Sequence, residues 1–258
     1  MAIKPEFAEE RQNSILLLLK IKEKLLVNEL CEMYGVSSAT IRNDLNTLEK
    51  KGLLRRTHGG AIANLKIGFE ETSVQKFNVF TDEKERIAEH AESYIEDGDV
   101  IAIDSGTTTY ALAKMLSGKQ NVTVVTADLR IANLLEGYNG ISVVIAGGTV
   151  RKGFACTVGA LTNGVLLQMN VDKVFLATNS VGMDGSLSTP DLEQAQVKNS
   201  LIKMGRQVFL LCDSTKFTAN SFAKFGSLKE IDCIITDRGI DKAILERLQT
   251  AGQHIEVV

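Results

Sequence analysis

The sequence has little of what marks disordered, secreted or membrane proteins. Only two prolines occur in 258 residues and there is no long glycine or serine tract, which argues against a disordered arm. The densest apolar run, residues 15–19, is far too short to span a membrane, and we recognise no signal peptide. We therefore expect a cytoplasmic protein.

Cysteine and histidine are also scarce. No two of the four cysteines, Cys31, Cys156, Cys212 and Cys233, stand at Cys-x-x-Cys spacing, and we interpret them as buried reduced thiols. Metal binding is the less favoured alternative, because the three histidines are scattered along the sequence. We predict no metal site and no cofactor.

Length and charge indicate two parts with different partners. A chain of 258 residues suits two domains of unequal size. Residues 1–66 hold 11 Lys and Arg against 8 Asp and Glu, whereas the remainder holds 18 against 24. A basic head on an acidic body points to a polyanion partner for the head alone.

The first part has the pattern of a winged helix-turn-helix. Hydrophobic spacing predicts two helices, a turn at Gly35, and a third helix capped by Ser37 or Ser38 and stopped by Gly52. Two short extended segments follow, around a glycine turn. We assign the winged helix-turn-helix to residues 8–63, with the helix-turn-helix at about 25–44. The first two helices and the two extended segments are predicted at 11–20, 27–34, 53–57 and 61–63.

The third helix presents side chains that suit the major groove of DNA. If Ile41, Leu45 and Leu48 form its buried stripe, Arg42 and Asn43 point outwards. Arginine reads guanine and asparagine reads adenine by paired hydrogen bonds. The alternative is a surface helix with solvated charges. The predicted DNA-binding residues are Ser37, Ser38, Thr40, Arg42, Asn43, Asn46, Arg55, Arg56 and His58.

The rest of the chain has an α/β pattern. Residues 64–81 lack clear periodicity and are interpreted as a linker. Beyond them, short β-branched runs alternate with helical stretches, which predicts a parallel sheet covered on both faces over residues 82–258. The runs lie at 100–104, 122–126, 141–146, 174–177, 208–212 and 231–236, and the helices at 82–94, 108–116, 128–135, 192–204 and 242–250.

Several polar segments follow predicted strands, where a doubly wound sheet places its ligand. Residues 104–109 join a strand to a helix through Gly106, and such a helix start attracts an anion. Lys216, after another strand, suits a phosphate as a point charge. The alternative for each segment is a capped turn or a surface ion pair, and Lys198 in particular is expected to form a surface ion pair.

Two separated stretches of the head carry a family resemblance. Residues 36–45 and the His-Gly-Gly-Ala at 58–61 resemble the DNA-binding head of the DeoR family of bacterial repressors. Asn43 stands where that family usually has a second arginine, which is expected to alter the operator sequence or a phosphate contact. Lys24 likewise replaces a common glycine.

The resemblance continues through the body. Residues 104–108, 147–148, 158–159, 171–176 and 213–217 look like the DeoR-type sensor domain, which is similar to ribose-5-phosphate isomerase. This implies a sugar phosphate held at 105–109 and by Lys216. Ala127 and residues 177–179 depart from the family pattern near this pocket, so the sugar is expected to be unusual. The predicted effector-binding residues are Asp104, Ser105, Gly106, Thr107, Thr108, Thr109, Gly147, Gly148, Asp184, Glu193 and Lys216.

The resemblance implies a repressor of carbohydrate uptake or catabolism, released from DNA by a phosphorylated sugar or sugar alcohol. We expect a homo-oligomer, dimer or tetramer, assembled through the body. The alternative is a sugar-phosphate isomerase with an added regulatory head, in which Glu193 or Asp184 serves as the base. A third interpretation is an activator or architectural DNA binder without small-molecule control.

Overall fold

The computed structural model describes residues 7–22, 24–63, 70–217 and 220–258. It divides into two compact units, Met1–Glu71 and Thr72–Val258, which we call the head and the body. Among the described residues, no helix has both the length and the apolar character needed to cross a membrane.

The head combines three helices with a small antiparallel sheet. Its strands lie in the order β1-β3-β2, so β1 adds to the hairpin of β2 and β3. This is the winged helix-turn-helix that the sequence predicts, with one additional strand. The elements are α1 (Ala8–Lys22), β1 (Lys24–Leu26), α2 (Val27–Tyr34), α3 (Ser38–Lys50), β2 (Leu54–Thr57) and β3 (Gly60–Ala63).

The turn between α2 and α3 follows from its residues. Gly35 ends α2 with φ 64°, in the left-handed region that favours glycine, and its N–H donates to the carbonyl of Cys31. Ser37 caps α3, and its side chain accepts a hydrogen bond from the N–H of Thr40. Both features agree with the sequence-based prediction.

The body begins with two helices and then alternates strands with helices. Its elements are α4 (Ser73–Phe77), α5 (Thr81–Glu92), β4 (Val100–Ile103), α6 (Thr107–Met115), β5 (Val122–Thr126), α7 (Leu129–Leu135), β6 (Ile141–Ile145), β7 (Thr149–Arg151), β8 (Cys156–Val158), α8 (Ala160–Leu166), β9 (Val171–Ala177), β10 (Ser180–Val181), β11 (Ser186–Thr189), α9 (Leu192–Met204), β12 (Gly205–Leu211), β13 (Ala223–Ser227), β14 (Cys233–Thr236), α10 (Lys242–Thr250) and β15 (Ile255–Val257).

Seven strands form one parallel sheet in the order β15-β14-β12-β9-β4-β5-β6. From β4 the chain builds first towards β6 and then, from β9, towards β15. The strand order therefore reverses between β4 and β9. In open α/β sheets, ligands bind beyond the carboxyl ends of the strands at such a reversal point. The predicted parallel α/β sheet is confirmed.

Alternating side chains divide the core between the two faces of the sheet. Ile101 and Ile103 of β4 pack in one buried cluster with helices α5, α6 and α7, whereas Ala102 packs in the other with α8, α9 and α10. Parallel sheets buried on both faces require such continuous apolar strands.

Parts of the structure differ from the sequence-based expectation. Helix α4 lies within residues 64–81, for which the sequence predicts a linker, and residues 64–69 of that segment lie outside the described part of the chain. The pair β7–β8 and the antiparallel sheet β10-β11-β13 were not predicted. Their strands are two to five residues long, too short to show periodicity.

Candidate functional site

Helix α3 of the head separates a buried face from an exposed one. Ile41 and Leu45 are completely buried and Leu48 nearly so. Arg42 and Asn43 are exposed on the opposite face. The predicted stripe is therefore present, and two side chains able to read base edges project from this helix.

A buried ion pair fixes the position of α3. Asp44 lies on the buried stripe, with its Oδ2 2.6 Å from Nε of Arg11 in α1. The amide of Gln12 donates to the other carboxylate oxygen at 2.9 Å. Sequence reasoning did not give Asp44 this role, although its spacing from Ile41 and Leu48 already placed it on the apolar stripe.

The wing supplies further basic side chains. Arg55 and His58 are exposed, whereas Nη1 of Arg56 donates to Oδ1 of Asn46 at 2.5 Å. This bond joins the wing to α3. Ser37 and Thr40 bond to each other at the start of α3, so they shape the helix end, and Ser38 beside them is exposed.

The second glycine of the wing turn, Gly60, has a steric cause. A Cβ on Gly60 would lie 1.9 Å from the carbonyl oxygen of Leu25, because β1 pairs closely with β3 at this point. Glycine is the residue that permits this approach.

In the body, a buried ion pair lies at the point where the strand order reverses. Asp104 follows β4, and its Oδ2 lies 2.5 Å from Nζ of Lys198 on α9. The same oxygen accepts the N–H of Ala177 at the end of β9, and Lys198 also donates to the carbonyl of Ala177. The expectation of a surface ion pair for Lys198 is wrong: its side chain is 3% exposed.

The loop after Asp104 leads directly into α6. A Cβ on Gly106 would lie 3.0 Å from Cβ of Ala177, so the loop packs closely against the end of β9. Thr108 and Thr109 are buried, whereas Ser105 and Thr107 are partly exposed. The first turn of α6 therefore lies beyond the carboxyl end of β4. The free N–H groups of a helix start favour an anion.

A chain of polar contacts connects this loop to other elements. The side-chain amide of Gln194, on α9, donates to Oγ of Ser105 at 2.9 Å. The thiol of Cys156, on β8, donates in turn to Oε1 of Gln194. Burial raises the pKa of Cys156 to about 11, with Arg151 and the Ser105 hydrogen bond opposing the shift.

Arg151 brings a positive charge to the same region. Its guanidinium lies 3.8 Å from the ring centroid of Phe154 and 3.4 Å from Oδ2 of Asp191. Sequence reasoning missed Arg151 and Gln194, because hydrophobic periodicity carries no signal for a polar residue in a short hairpin or a helix first turn.

The glycine pair after β6 and the start of α9 lie near this chain of contacts. A Cβ on Gly148 would lie 2.1 Å from Oγ1 of Thr162, so this glycine is required by packing, while Gly147 has open space. Glu193 is exposed in the first turn of α9, and its carboxylate lies 3.8 Å from the Cβ position of Gly159.

Lys216 follows a strand of the seven-stranded sheet, whereas Asp184 lies between two strands of the separate antiparallel sheet. Lys216 follows β12, at the same edge of the sheet as Asp104, and its Nζ lies 3.3 Å from Oδ2 of Asp213. Asp184 lies between β10 and β11 of the separate antiparallel sheet. Hydrogen bonds from Lys224 and Ser186 lower the pKa of Asp184 below its ordinary value.

Family models match both units of the chain. Residues 11–66 match a DeoR-like helix-turn-helix domain, and residues 79–238 match the DeoR C terminal sensor domain. The chain belongs to the DeoR family. This confirms the resemblance read from residues 36–45, 58–61 and the body.

Relatives cover nearly the whole of this DeoR-family chain. It is 34% identical to the HTH-type transcriptional regulator GlpR of Haloferax volcanii, over 94% of this chain and 95% of that protein. It is 31% identical to the glycerol-3-phosphate regulon repressor of Escherichia coli K12, over 96% and 97%. The prediction of a DNA-binding transcriptional repressor is confirmed.

Part of the chain is also similar to a solved structure. A D-ribose-5-phosphate isomerase in complex with phospho-erythronic acid is 16% identical, covers 54% of each chain and has a TM-score of 0.41. The assignment to the DeoR family rests on the sequence matches and is independent of this similarity.

Proposed function

We propose that this DeoR-family repressor controls a carbohydrate uptake or catabolism operon and leaves its operator when a phosphorylated sugar binds the body. The proposal that the body binds an effector rests on one observation: residues 105–109 lie where the strand order of the sheet reverses, next to the buried ion pair of Asp104 and Lys198. Backbone N–H groups at a helix start, in a crevice between parallel strands, suit a phosphate.

The phosphate is proposed to bind at residues 105–109, with Thr107 and Ser105 offering hydroxyl groups. Asp104 holds the loop rather than the ligand, because its carboxylate already bonds with Lys198, Ala177 and Ser105. Lys216, at the same edge of the sheet, is proposed to approach the ligand as a point charge.

The sugar hydroxyls are proposed to meet Glu193 and the backbone at Gly147. Glu193 is exposed at the start of α9, next to the residue that bonds Ser105. A role for Asp184 stays a prediction, since its partners are Lys224, Ser186 and Asn220.

On DNA, Arg42 and Asn43 are proposed to read base edges from α3, while Arg55 and His58 of the wing approach phosphates. Arg56 and Asn46 are proposed to act together because they bond to each other.

We further propose that the bodies associate into a homo-oligomer. Leu161, 76% exposed, and Leu167, 58% exposed, offer apolar surface for this.

A binding experiment tests the proposal. The purified chain is titrated into labelled DNA from its own promoter and into a scrambled duplex, at fixed salt, with and without hexose, hexosamine and hexitol phosphates. We expect a preference for the promoter that one phosphorylated compound abolishes and its unphosphorylated parent does not. Equal affinity for both duplexes refutes the repressor half, and indifference to every phosphorylated compound refutes the effector half.

A further inference from the structure

A group of potential metal ligands lies at the β15 edge of the seven-stranded sheet. Ligand atoms of Cys233, His254 and Glu256 all lie within 4.8 Å of one another. His90 of α5 adjoins them, with its Nε2 2.5 Å from Oε2 of Glu256. Two of the three histidines of the sequence therefore lie near Glu256, and one of them, His254, also lies near Cys233.

Strand register explains why these residues meet. Ile234 of β14 pairs with Ile255 of β15, which places Cys233 beside His254. Because alternate residues of a strand point to the same face, Glu256 projects on the side of His254. Cys233 belongs to the buried cluster that contains Ile87 of α5, so this helix covers the same face.

The separation of His254 and Glu256 suits a small divalent ion. Nε2 of His254 lies 3.4 Å from Oε1 of Glu256. Tetrahedral zinc with bonds of about 2.0–2.1 Å separates two such ligands by about 3.3 Å. The Cys233 thiol lies within 4.8 Å of the other two ligand atoms, and the imidazole of His254 must move closer to it for both to bind one ion. The side chain of His254 is 62% exposed and has room to turn.

Neighbouring groups orient the carboxylate. The hydroxyl of Tyr94 donates to Oε1 of Glu256 at 2.7 Å, and His90 holds Oε2. Ligands of protein-bound metals are commonly supported by such outer hydrogen bonds. The competing explanation is structural: Glu256 links β15 to α5 through hydrogen bonds, and Cys233 packs in the core with its thiol donating to the carbonyl of Ile234.

The chemistry of the three ligand groups favours zinc. A thiolate, a carboxylate and a neutral imidazole together compensate a charge of about +2, and thiolate with imidazole favours zinc over magnesium or calcium. When the ion binds, a sulfur–metal bond forms and the thiol proton passes to solvent. Three protein ligands leave a fourth position for water.

We propose that Cys233, His254 and Glu256 bind one divalent ion of the zinc class. The ion then fastens β15, the edge strand, to β14 under α5. Cys233 begins β14, whereas the effector loops follow the carboxyl ends of the strands, so this site is separate from the effector site.

The test uses the full, tag-free chain, stripped with a chelator and titrated with zinc chloride by calorimetry. We expect one ion per chain, and binding at least about tenfold weaker in both Cys233→Ser and His254→Gln. His58→Gln, which alters the exposed histidine of the head, is the matched control and is expected to bind zinc normally.

Cobalt provides a second measurement on the same proteins. Co²⁺ is expected to give a thiolate-to-metal absorption band that Cys233→Ser lacks and His58→Gln keeps. Since Cys233 is buried and its replacement can disturb folding, the exposed His254 gives an independent variant. Absence of stoichiometric zinc and cobalt binding, or unchanged affinity in His254→Gln, overturns the proposal.

Discussion

Replacing Lys198 with methionine tests the role of the buried pair at the crevice. Methionine keeps an unbranched side chain of similar length but removes the charge, leaving the Asp104 carboxylate with the N–H groups of Ala177 and Ser105. In the folded protein the two side chains are 3% and 0% exposed, with Nζ 2.5 Å from Oδ2. We expect Lys198→Met to destabilise the body and to disorder residues 105–109, the proposed phosphate-binding segment.

The expected loss follows from the burial. Removing one partner of a buried pair leaves an uncompensated charge, which costs about 3–5 kcal/mol of the free energy of unfolding. In a domain of about 150–250 residues, each kcal/mol lowers the melting temperature by about 2–4 °C. The midpoint of Lys198→Met should therefore fall by roughly 6–20 °C.

The assay is thermal and urea unfolding followed by circular dichroism, on the variant and on the double change Asp104→Asn with Lys198→Met. The double change removes both charges and should recover much of the loss. Lys224→Met is the matched control, because the Lys224–Asp184 pair is more than half exposed on both sides. Equal midpoints for Lys198→Met and Lys224→Met would refute the reasoning.

Four further outcomes are expected. Arg42→Ala should weaken operator binding by about 1–3 kcal/mol in a fluorescence anisotropy titration, and an equal loss on random DNA would show that Arg42 contacts only phosphate. Gly60→Ala should lower the melting temperature of the head, because its Cβ would lie 1.9 Å from the carbonyl oxygen of Leu25, and a melting temperature equal to that of the parent would contradict this. Lys216→Ala should keep operator affinity while repression stops responding to the sugar phosphate in a reporter assay, and a normal response would place the pocket elsewhere. Cys156, whose pKa is raised to about 11 by burial, should resist alkylation by iodoacetamide at neutral pH, and rapid labelling seen by mass spectrometry would contradict the described packing.

Much of the fold was predictable because its signals are local. The β-branched run at 122–126 matches β5 at both ends, and helix α9 matches its predicted bounds. Gly35 and Ser37 marked the turn of the head because a left-handed residue and a cap have short-range sequence requirements.

The environment of Lys198 was not predictable from local pattern. Helix α9 is buried on most sides, at Ala195, Val197, Lys198 and Leu201 among others, so its periodicity does not assign Lys198 to a face. Its partner Asp104 lies 94 residues earlier, and the strand order of the sheet brings the two together. The cluster of Cys233, His254 and Glu256 was not predictable from local pattern either, because the register between β14 and β15 brings these residues together.

The central claim is that one chain couples operator DNA to a phosphorylated sugar, and coupling is reciprocal. The direct measurement is the affinity of the effective sugar phosphate for the free protein and for the protein saturated with operator DNA. The account predicts that operator DNA weakens sugar-phosphate binding by the same factor by which the sugar phosphate weakens operator binding. Identical affinities in the two titrations would contradict it.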